Sequence, residues 1–436
     1  MLISKTILSE LEAILSNSTE QWRVAAVDIE VGPLEFVRAA HNLTSPAVYF
    51  GRPGGVEVGA VGSAWETTAA PGEGRFQRID ADLPDVSNAR FVLGFSFDED
   101  GPKSADWQHF GPARLVLPKA AVVRDGESTK LVVVAEGGAD ADLLAMLAIL
   151  QRPESVARRQ SADRTIESVP APSDWMETIA DTVSAIHEGA IEKVVLARSV
   201  VVTSDVVPDP FDLAVRLLSG YPECFTYAWE SGDGAFVGAS PELLASVRDS
   251  LVVSEPLAGT TARGEGEDHD RTLGEQLMAS AKNRLEHRVV IEDIAKRLTP
   301  LASGLSAPMT PHLRRMANVQ HLSTRIQGTM HPGLGILDVI DAIHPTPAVG
   351  GSPATEAMTM ISKLEQIDRG WYAGGVGWID SRGNGDVAVA LRCALLRGAT
   401  ARLYAGAGIV AGSDPQLELD ETRLKFGPML SLLTEA

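Results

Sequence analysis

Polar residues in two segments of the second half of the chain have the spacing of neighbours on one helical face. Glu418 and Glu421 lie three residues apart, and Lys425 follows four residues later. Asn283 and Glu286 repeat the three-residue offset in an earlier segment. Because Mg²⁺ needs only one or two protein carboxylates, with substrate and water completing its octahedron, one glutamate from each helix could hold it. By spacing alone, a solvated helix face is the more common explanation.

Two other candidate residues stand at the boundaries of strand-like segments. Lys193 begins the β-branched run 193–204, and Glu242 follows Pro241 in the segment GASPELL. A lysine at a strand end is the ordinary explanation for the first residue, and a carboxylate stabilised by backbone N–H groups at a turn is the ordinary explanation for the second. Neither residue is distinguished as catalytic by its own neighbours.

Small residues are concentrated in three segments, which are AGTTARG (258–264), HPTPAVGGSP (344–353) and AGAGIV (405–410). Such segments allow the backbone to approach a ligand closely, and their free N–H groups suit a carboxylate. Tight turns within a sheet are the alternative reason for the same composition. The three segments are therefore candidates for a substrate-binding cradle.

The composition excludes several classes of protein. Of 436 residues, 44% are hydrophobic and 22% are charged, which is typical of a folded globular protein. The formal net charge of -20 argues against nucleic acid or a membrane surface as the main partner, but not against a small anionic substrate. Cys224 and Cys393 predict free thiols in a reducing compartment. With no signal-peptide pattern and no apolar run long enough to span a membrane, we expect a cytoplasmic protein.

Periodicity and turn residues predict the elements that must position these residues. Strand patterns in the first half fall near 47–58, 89–98, 113–126 and 131–136, and a helical pattern follows them at 141–151. The polar segment 152–173, with three prolines, is typical of a linker or long loop, and Ser173 is typical of the N-cap of a following helix.

The second half has stronger patterns. They predict a strand over 193–204, a hairpin over 243–255, a long helix over about 273–298 and successive antiparallel strands over 371–410. Asp414 is a good N-cap for a last helix. Runs of strands mixed with runs of helices favour an α+β fold over a doubly wound sheet.

Nine segments of the second half occur in an order that resembles one protein family. They are KVVLAR, GASPELL, PLAGTTARG, KNRLEHRVVIEDI, VQHLSTRIQGT, HPTPAVGGSP, VALRCALL, YAGAGIV and ELDETRLKF. By these segments the chain resembles the chorismate-utilising enzymes, which include isochorismate and salicylate synthases and the large subunits of anthranilate and aminodeoxychorismate synthases. The resemblance covers residues 174–432, and residues 1–170 resemble the more variable, strand-rich front of the same enzymes.

The resemblance implies one domain over residues 1–436. Its fold would be α+β, an α/β sandwich of two stacked, mostly antiparallel sheets flanked by helices, with the active site between the sheets. The apparent linker at 152–173 would then be a connection within that domain. The resemblance also favours a monomer.

The same resemblance implies a binding site for Mg²⁺ and for chorismate. Glu286 and Glu421 would bind Mg²⁺, and Asn283 and Glu418 would stand behind them and orient ligands or waters. Relatives often have a carboxylate at position 283, so this chain carries one negative charge fewer there. The substrate would be held by Gly259, Thr260, His344, Ala348, Tyr372, Arg392, Gly406, Gly408 and Lys425.

The chemistry of chorismate requires an acid and a base. Its conversion to isochorismate needs water to attack ring carbon C2 while the hydroxyl at C4, a poor leaving group, departs. The resemblance implies that Lys193 is the base and Glu242 the acid. Lys193 would have to be neutral when it acts, and burial would have to raise the pKa of Glu242 so that it stays protonated.

Three positions distinguish reactions within the family by resemblance. Lys193 stands where ammonia-using enzymes typically have glutamine, and Ala258 stands where aminodeoxychorismate synthases have a nucleophilic lysine. Ala348 stands where ammonia users and salicylate synthases commonly have threonine. All three favour an isochorismate synthase, an isomerase whose product would feed menaquinone or siderophore synthesis. The alternatives are a salicylate synthase, which goes on to eliminate pyruvate, and, more distantly, a non-catalytic chorismate-binding protein.

Overall fold

The structure is a computed structural model that describes residues 1–72, 74–155, 163–189 and 191–434. Within those ranges the strands are β1 (Trp22–Asp28), β2 (Ala47–Gly51), β3 (Glu57–Val61), β4 (Trp65–Thr68), β5 (Phe91–Phe95), β6 (Ala113–Leu117), β7 (Ala120–Asp125), β8 (Ser128–Glu136), β9 (Arg164–Val169), β10 (Lys193–Ser204), β11 (Phe225–Ser231), β12 (Gly234–Ser240), β13 (Leu243–Arg248), β14 (Leu251–Glu255), β15 (Leu257–Ala262), β16 (Ala302–Ser306), β17 (His312–Arg315), β18 (Val319–Ser323), β19 (Ile326–Met330), β20 (Gly351–Ser352), β21 (Gly375–Ile379), β22 (Gly385–Val389), β23 (Cys393–Arg397) and β24 (Thr400–Ile409).

The helices in the same ranges are α1 (Lys5–Asn17), α2 (Pro33–Ala40), α3 (Arg75–Asp82), α4 (Ala141–Ile149), α5 (Pro172–His187), α6 (Pro210–Gly220), α7 (Glu267–Ala279), α8 (Ala281–Leu298), α9 (Ile336–Ile343), α10 (Ala354–Leu364) and α11 (Pro415–Thr434). Two short 3₁₀ turns cover His41–Leu43 and Ala105–Trp107. None of the described helices is long and apolar enough to cross a membrane.

The strands form two large sheets and one small sheet. The first sheet has the order β1-β8-β7-β3-β2-β11-β12-β23-β24-β10-β20, with β9 also paired to β10. The second has the order β16-β19-β14-β13-β22-β21-β5-β6-β4, and the third β15-β18-β17. Neighbouring strands are antiparallel, as in β10 with β24 and β21 with β22. The predicted α+β sandwich is therefore confirmed, with a small third sheet in addition.

The first sheet is buried on both faces because it has a different partner on each side. One face packs against helices, with Phe36 of α2, Phe211 of α6 and Phe426 of α11 in one core. The other face packs against the second sheet around Trp371, whose ring lies 5.1 Å from Trp229 in an edge-to-face contact. Edge-to-face aromatic pairs add directional contacts to the burial of large apolar area. The resulting order of layers is helices, first sheet, second sheet, helices.

Several predicted elements agree with the structure to within a residue. The strand predicted over 193–204 is β10, and the predicted hairpin over 243–255 is formed by β13 and β14 around Asp249. The last helix begins at Pro415, and the Asp414 carboxylate accepts hydrogen bonds from the next backbone N–H groups, as an N-cap does. These segments carry strong local signals, which explains the agreement.

The linker predicted over 152–173 is wrong for residues 164–169. Residues 164–169 form β9, which pairs with β10, while residues 156–162 lie outside the described residues. Most of the side chains of β9 are exposed or half-buried, so its polar sequence resembled a loop. The N-cap of α5 is Ala171, and the Ser173 hydroxyl donates to Asp174 instead of capping the helix.

The long helix predicted over 273–298 is also wrong, because the structure has two helices there. α7 ends at Ala279 and α8 begins at Ala281. Between them Ser280 has an extended backbone (φ −63°, ψ 115°), and its hydroxyl accepts a hydrogen bond from the Asn283 backbone N–H at 3.3 Å. A serine N-cap inside a continuous helical pattern thus begins a new helix in a new direction.

The close approach of Trp371 to β5 leads to a stability prediction. A Cβ added to Gly94 would lie 2.0 Å from the Trp371 ring, so we expect Gly94→Ala to lower the free energy of unfolding by about 1–3 kcal/mol. Urea unfolding would measure the change. Gly138→Ala is the matched control, because nothing lies within 4 Å of its added Cβ. Equal stability of the two variants would contradict this account of the packing.

Candidate active site

The chain crosses between the sheets at three places that border one pocket. Pro241 and Glu242 connect β12 of the first sheet to β13 of the second, and residues 390–392 connect β22 back to β23. Pro256 connects β14 to β15 of the third sheet. Residues in these connections lie outside the strands although their carbonyls still accept hydrogen bonds from them, and the side chains of Glu242 and Arg392 line the pocket between the sheets. The sequence builds much of this pocket from connections.

Most of the residues implied by the resemblance line this pocket. They are Glu242, Gly259, Thr260, Glu286, Ala348, Tyr372, Arg392, Gly406, Gly408, Glu421 and Lys425. Lys193 lies directly behind Gly408, because a Cβ on that glycine would be 3.1 Å from Lys193 Cε. α8 and α11 supply the carboxylates, and β24 supplies the two glycines of the AGAG segment.

Glu242 is a carboxyl group shielded from solvent, with only 4% of the residue exposed. Burial raises the pKa of Glu242 to about 7, although a hydrogen bond from the Leu257 backbone and the charge of Lys193 oppose the shift. A raised pKa is the property that the chemistry requires of an acid at this position. A carboxyl group that keeps its proton near neutral pH can donate that proton to a leaving hydroxyl.

Lys193 and Glu286 form a buried ion pair at the back of the pocket. The lysine is 1% exposed, and its Nζ atom lies 3.1 Å from Glu286 Oε1. The same Nζ atom has no partner in hydrogen-bonding geometry among the described residues, so the contact is one of charge rather than a directed hydrogen bond. The N–H donors of Lys193 therefore remain available to a bound molecule.

A second lysine–glutamate pair lies on α11. Lys425 Nζ is 2.6 Å from Glu421 Oε1 and donates a hydrogen bond of 2.8 Å to the Gly406 carbonyl. Burial opposes ionisation of Glu421, but Lys425 outweighs it and keeps the pKa of Glu421 below its usual value. The Gly406 carbonyl thus holds a lysine, whereas the sequence suggested an N–H cradle at this glycine.

The donor set of the pocket fits Mg²⁺ as a partial site. Glu286 and Glu421 offer carboxylates from two helices to one pocket. In the described part of the chain, no group of three or more His, Cys, Asp and Glu side chains could hold a metal ion by itself. Mg²⁺ commonly binds one or two carboxylates and takes its other ligands from substrate and water. The two glutamates suit a cation that binds together with an anionic substrate.

Arg392 is the cation that lacks a carboxylate partner in the pocket. Its guanidinium has no acidic side chain within ion-pair distance among the described residues, and burial lowers its pKa. Its backbone has φ +51°, a left-handed conformation that is rare for a residue with a side chain. Strain of this kind persists where the surroundings hold it and is common at binding sites. A buried, unpaired guanidinium is suited to a carboxylate from a ligand.

Three predicted residues lie behind the pocket wall. The Glu418 carboxylate is ion-paired with Lys282 at 2.5 Å, and the Asn283 side chain donates to Ser280 at 3.0 Å. His344 contacts the Ala373 carbonyl at 3.0 Å instead of facing the pocket. None of the three is among the residues that line the pocket, and the roles predicted for Asn283 and Glu418 behind the metal ligands and for His344 at the substrate stay predictions.

His321, which lines the pocket from β18, was not predicted from the sequence. Its Nδ1 atom lies 3.3 Å from the Gly259 carbonyl and 3.1 Å from Thr260 Oγ1. Because a carbonyl can only accept, Nδ1 carries the proton, and Nε2 is a lone pair without a partner in the described residues. Burial, together with Arg392 and Lys425, lowers the pKa of His321 far below its usual value, so the ring is neutral. A buried histidine inside a strand was the available signal.

The comparison with known families agrees with this geometry. Residues 9–434 match the family described as chorismate binding enzyme, which is nearly the whole chain. The stacked sheets and the charged pocket between them define an enzyme of that class, and the chain belongs to the chorismate binding enzyme family.

Several individual relatives of this chain within the family are isochorismate synthases. The salicylate biosynthesis isochorismate synthase of Pseudomonas aeruginosa is 36% identical over 432 residues, which cover 94% of this chain and 90% of that protein. Isochorismate synthase MenF of Bacillus subtilis is 38% identical over 347 residues, or 78% of this chain and 74% of that protein. The solved structure of MenF, the menaquinone-specific isochorismate synthase from Escherichia coli, matches with a TM-score of 0.85 and 27% identity, covering 98% of this chain and 99% of that one.

The bare backbone at Gly408 leads to a test of the site. A Cβ there would lie 2.4 Å from Glu286 Oε1, so Gly408→Ala should displace that carboxylate and reduce turnover of chorismate by roughly 10–100-fold. The fold should survive, because the atom in the way is the end of a side chain. Gly412→Ala is the control, since nothing lies within 4 Å of its added Cβ. Steady-state kinetics and thermal unfolding of both variants would check this. Full activity of Gly408→Ala would show that turnover does not depend on the position of the Glu286 carboxylate.

Proposed function

We propose that this protein is a Mg²⁺-dependent isochorismate synthase, which adds water at C2 of chorismate and removes the C4 hydroxyl. The observation that carries the proposal is the buried Glu242 carboxyl, with a pKa of about 7, in a pocket that also holds an unpaired guanidinium. The reaction needs an acid that is protonated near neutral pH and a cation for the carboxylates of the substrate. Relatives that are 36% and 38% identical to this chain bear the name isochorismate synthase, which supports the same reaction.

Substrate binding follows from the charges of the pocket. Arg392 has no carboxylate partner among the described residues, and the Lys425 ammonium, which contacts Glu421 and the Gly406 carbonyl, has a third N–H donor. Both can therefore take up a carboxylate of chorismate by charge-assisted hydrogen bonds. Tyr372 stacks on Tyr404 at 5.2 Å and gives that side of the pocket an aromatic wall. Together these groups orient the ring between the base and the acid.

Proton transfer is assigned to the two buried groups on either side of the ring. A neutral Lys193 takes a proton from the water whose oxygen bonds to C2, and the ring double bonds shift toward C4. The C4–O bond breaks, and the departing hydroxyl takes the proton of Glu242 and leaves as water. One water enters and one leaves, so the reaction is an isomerisation overall. The proton on Lys193 then returns to Glu242 through solvent before the next cycle.

One of the two proposed Mg²⁺ ligands also contacts the proposed base. Glu286 and Glu421 would hold Mg²⁺, which when bound supplies positive charge to the ring carboxylate of the substrate. The carboxylate of Glu286 is also the ion-pair partner of Lys193. Any group that engages Glu286 weakens its hold on the lysine proton, so metal occupancy and the state of the base are linked through one side chain.

The pocket supports a reaction that ends at isochorismate. Ala258 and Ala348 both line it, so neither a lysine nucleophile nor a threonine hydroxyl is present at these two positions. Salicylate formation would require a further elimination of pyruvate. At position 348 the pocket has alanine, whereas salicylate synthases commonly have threonine there. We also propose a monomeric enzyme of the cytoplasm.

The first test is the product. Purified protein incubated with chorismate and Mg²⁺ should form isochorismate as the main early product, separated by chromatography. EDTA should abolish turnover, and added Mg²⁺ should restore it, because two carboxylates without a cation cannot hold the ring carboxylate. Salicylate and pyruvate as the main early products would show the alternative reaction, and full activity in metal-free buffer would exclude the metal role of Glu286 and Glu421.

The second test concerns the acid and the base. Glu242→Gln and Lys193→Gln should each remove most turnover while chorismate still binds, as measured by calorimetry. For the wild type, kcat/KM should fall as the pH rises above about 7, because Glu242 then loses its proton. Near wild-type activity in either variant would exclude the role assigned to that residue.

Stability gives a readout of Glu242 that is independent of activity. Because the pKa of Glu242 is raised in the folded state, the unfolded chain releases this proton from about pH 4.5 upward while the folded chain keeps it until about pH 7. The wild type therefore loses stability over that interval, and Glu242→Gln does not. Thermal unfolding should show the variant gaining on the wild type between pH 5 and pH 8, and a constant difference would contradict the raised pKa.

A further inference from the structure

Arg75 and His344 form a buried pair directly behind the pocket wall. Arg75 begins α3 in the first half of the chain, and His344 follows α9 in the second half. They are 4% and 8% exposed, and neither lines the pocket. We propose that the pair acts as a positioning device for the reaction: it fixes the main chain at Ala373 and thereby places Tyr372 and Arg392. This inference rests on the proposed isochorismate synthase function.

The hydrogen bonds of His344 are determined from both sides of the ring. Nε2 lies 3.0 Å from the Ala373 carbonyl, which can only accept, so Nε2 carries the proton. Nδ1 lies 3.4 Å from Arg75 Nη2, which can only donate, so Nδ1 is a lone pair. Burial lowers the pKa of His344 to about 3, with Arg75 adding to the effect, which agrees with a neutral ring. Arg75 therefore selects the tautomer that holds Ala373.

Arg75 is itself held by groups that carry no charge. Its Nη1 donates to Ser96 Oγ and the Asp98 carbonyl, both at 3.0 Å, and to the Pro112 carbonyl at 3.2 Å. No carboxylate lies within ion-pair distance of it among the described residues. The more distant charges of Glu99, Asp98 and Asp341 offset part of the desolvation of its guanidinium. Its other terminal nitrogen, Nη2, is directed to His344 and so links this buried cluster to the Ala373 segment.

The segment that His344 holds is strained. Ala373 has φ +62° and Arg392 has φ +51°, both left-handed conformations of residues with side chains. The two segments are joined by hydrogen bonds from Ala373 N–H to the Ala390 carbonyl at 2.9 Å and from Ala390 N–H to the Gly374 carbonyl at 3.0 Å. Both backbone polar groups of Ala373 are therefore bonded: its carbonyl accepts from His344, and its N–H donates to Ala390. Strained residues persist where the surroundings hold them in this way.

Through Ala373, His344 affects the positions of two residues that line the pocket. Tyr372 precedes Ala373 and lines the pocket, and Arg392 lies two residues after Ala390 and also lines it. If the carbonyl of Ala373 loses its donor, the strained segment can relax, and both side chains shift. Neither Arg75 nor His344 needs to touch substrate for this effect.

The central variant is His344→Phe, which fills the space and removes the hydrogen bond. We expect kcat/KM for chorismate to fall by roughly 10–100-fold with the fold retained. His344→Gln offers an amide donor to Ala373 and an acceptor to Arg75, so it should recover most of the activity. Thr226→Val is the matched control: Thr226 is fully buried, lies outside the pocket lining, and its hydroxyl has no partner in the described residues, so turnover should not change.

A double-mutant cycle distinguishes positioning from a general loss of structure. If His344 acts through Ala373, the double variant with Tyr372→Phe should lose several-fold less activity than the product of the two single losses. Arg75→Met, which frees Nδ1, should reproduce the loss of His344→Phe and supplies the test if that variant does not fold. Multiplicative losses in the cycle, or unchanged turnover in His344→Phe, would overturn the inference. Absence of chorismate turnover in the wild type would instead overturn the proposed function.

Discussion

The burial of charged groups between two apolar sheets is the constraint on which this site depends. Lys193, Glu286, Glu421, Lys425 and Arg392 all lie there, and an isolated charge in such surroundings is very costly. The structure meets the cost in three ways: two lysine–glutamate pairs, one carboxyl that stays protonated, and one guanidinium left for a ligand. With Glu242 protonated, these groups therefore sum to one positive charge, although the chain as a whole carries -20. A small dianion that binds together with a divalent cation is neutral as a pair, so its entry leaves that balance unchanged.

Helices supply Glu286, Glu421 and Lys425, a strand supplies Lys193, and the connections between layers supply the remaining two groups. Glu242 and Arg392 both occur where the chain leaves one sheet for another, and the latter adopts a conformation that a regular strand would not allow. Both residues are buried, and backbone hydrogen bonds from the neighbouring strands hold them in place. The sandwich architecture thus creates sites for chemistry wherever the chain changes layers.

The sequence predicted the parts of the fold with strong local signals and missed those set by distant contacts. The β-branched run of β10 and the Asp414 cap were both evident, because each follows from its own neighbours. The polar strand β9 was not evident, since it exists only as a partner of β10. For the site, the order of motifs identified the charged residues. The role of Arg75 could not be predicted, because it lies 269 residues from His344 in sequence and only the tertiary fold brings the two together.

The alternating glycines of β24 limit how this pocket can change. A methyl group at Gly406 would lie 3.0 Å from the Tyr372 hydroxyl, and one at Gly408 would meet Glu286. At neither glycine, therefore, could a side chain be added without displacing another pocket residue. Changes of substrate preference are therefore more readily sought at other lining positions that already carry a side chain, such as Ala258 of β15 and Ala348. For anyone redesigning the enzyme, the two glycines of β24 should be kept, and the two alanines are the positions to vary.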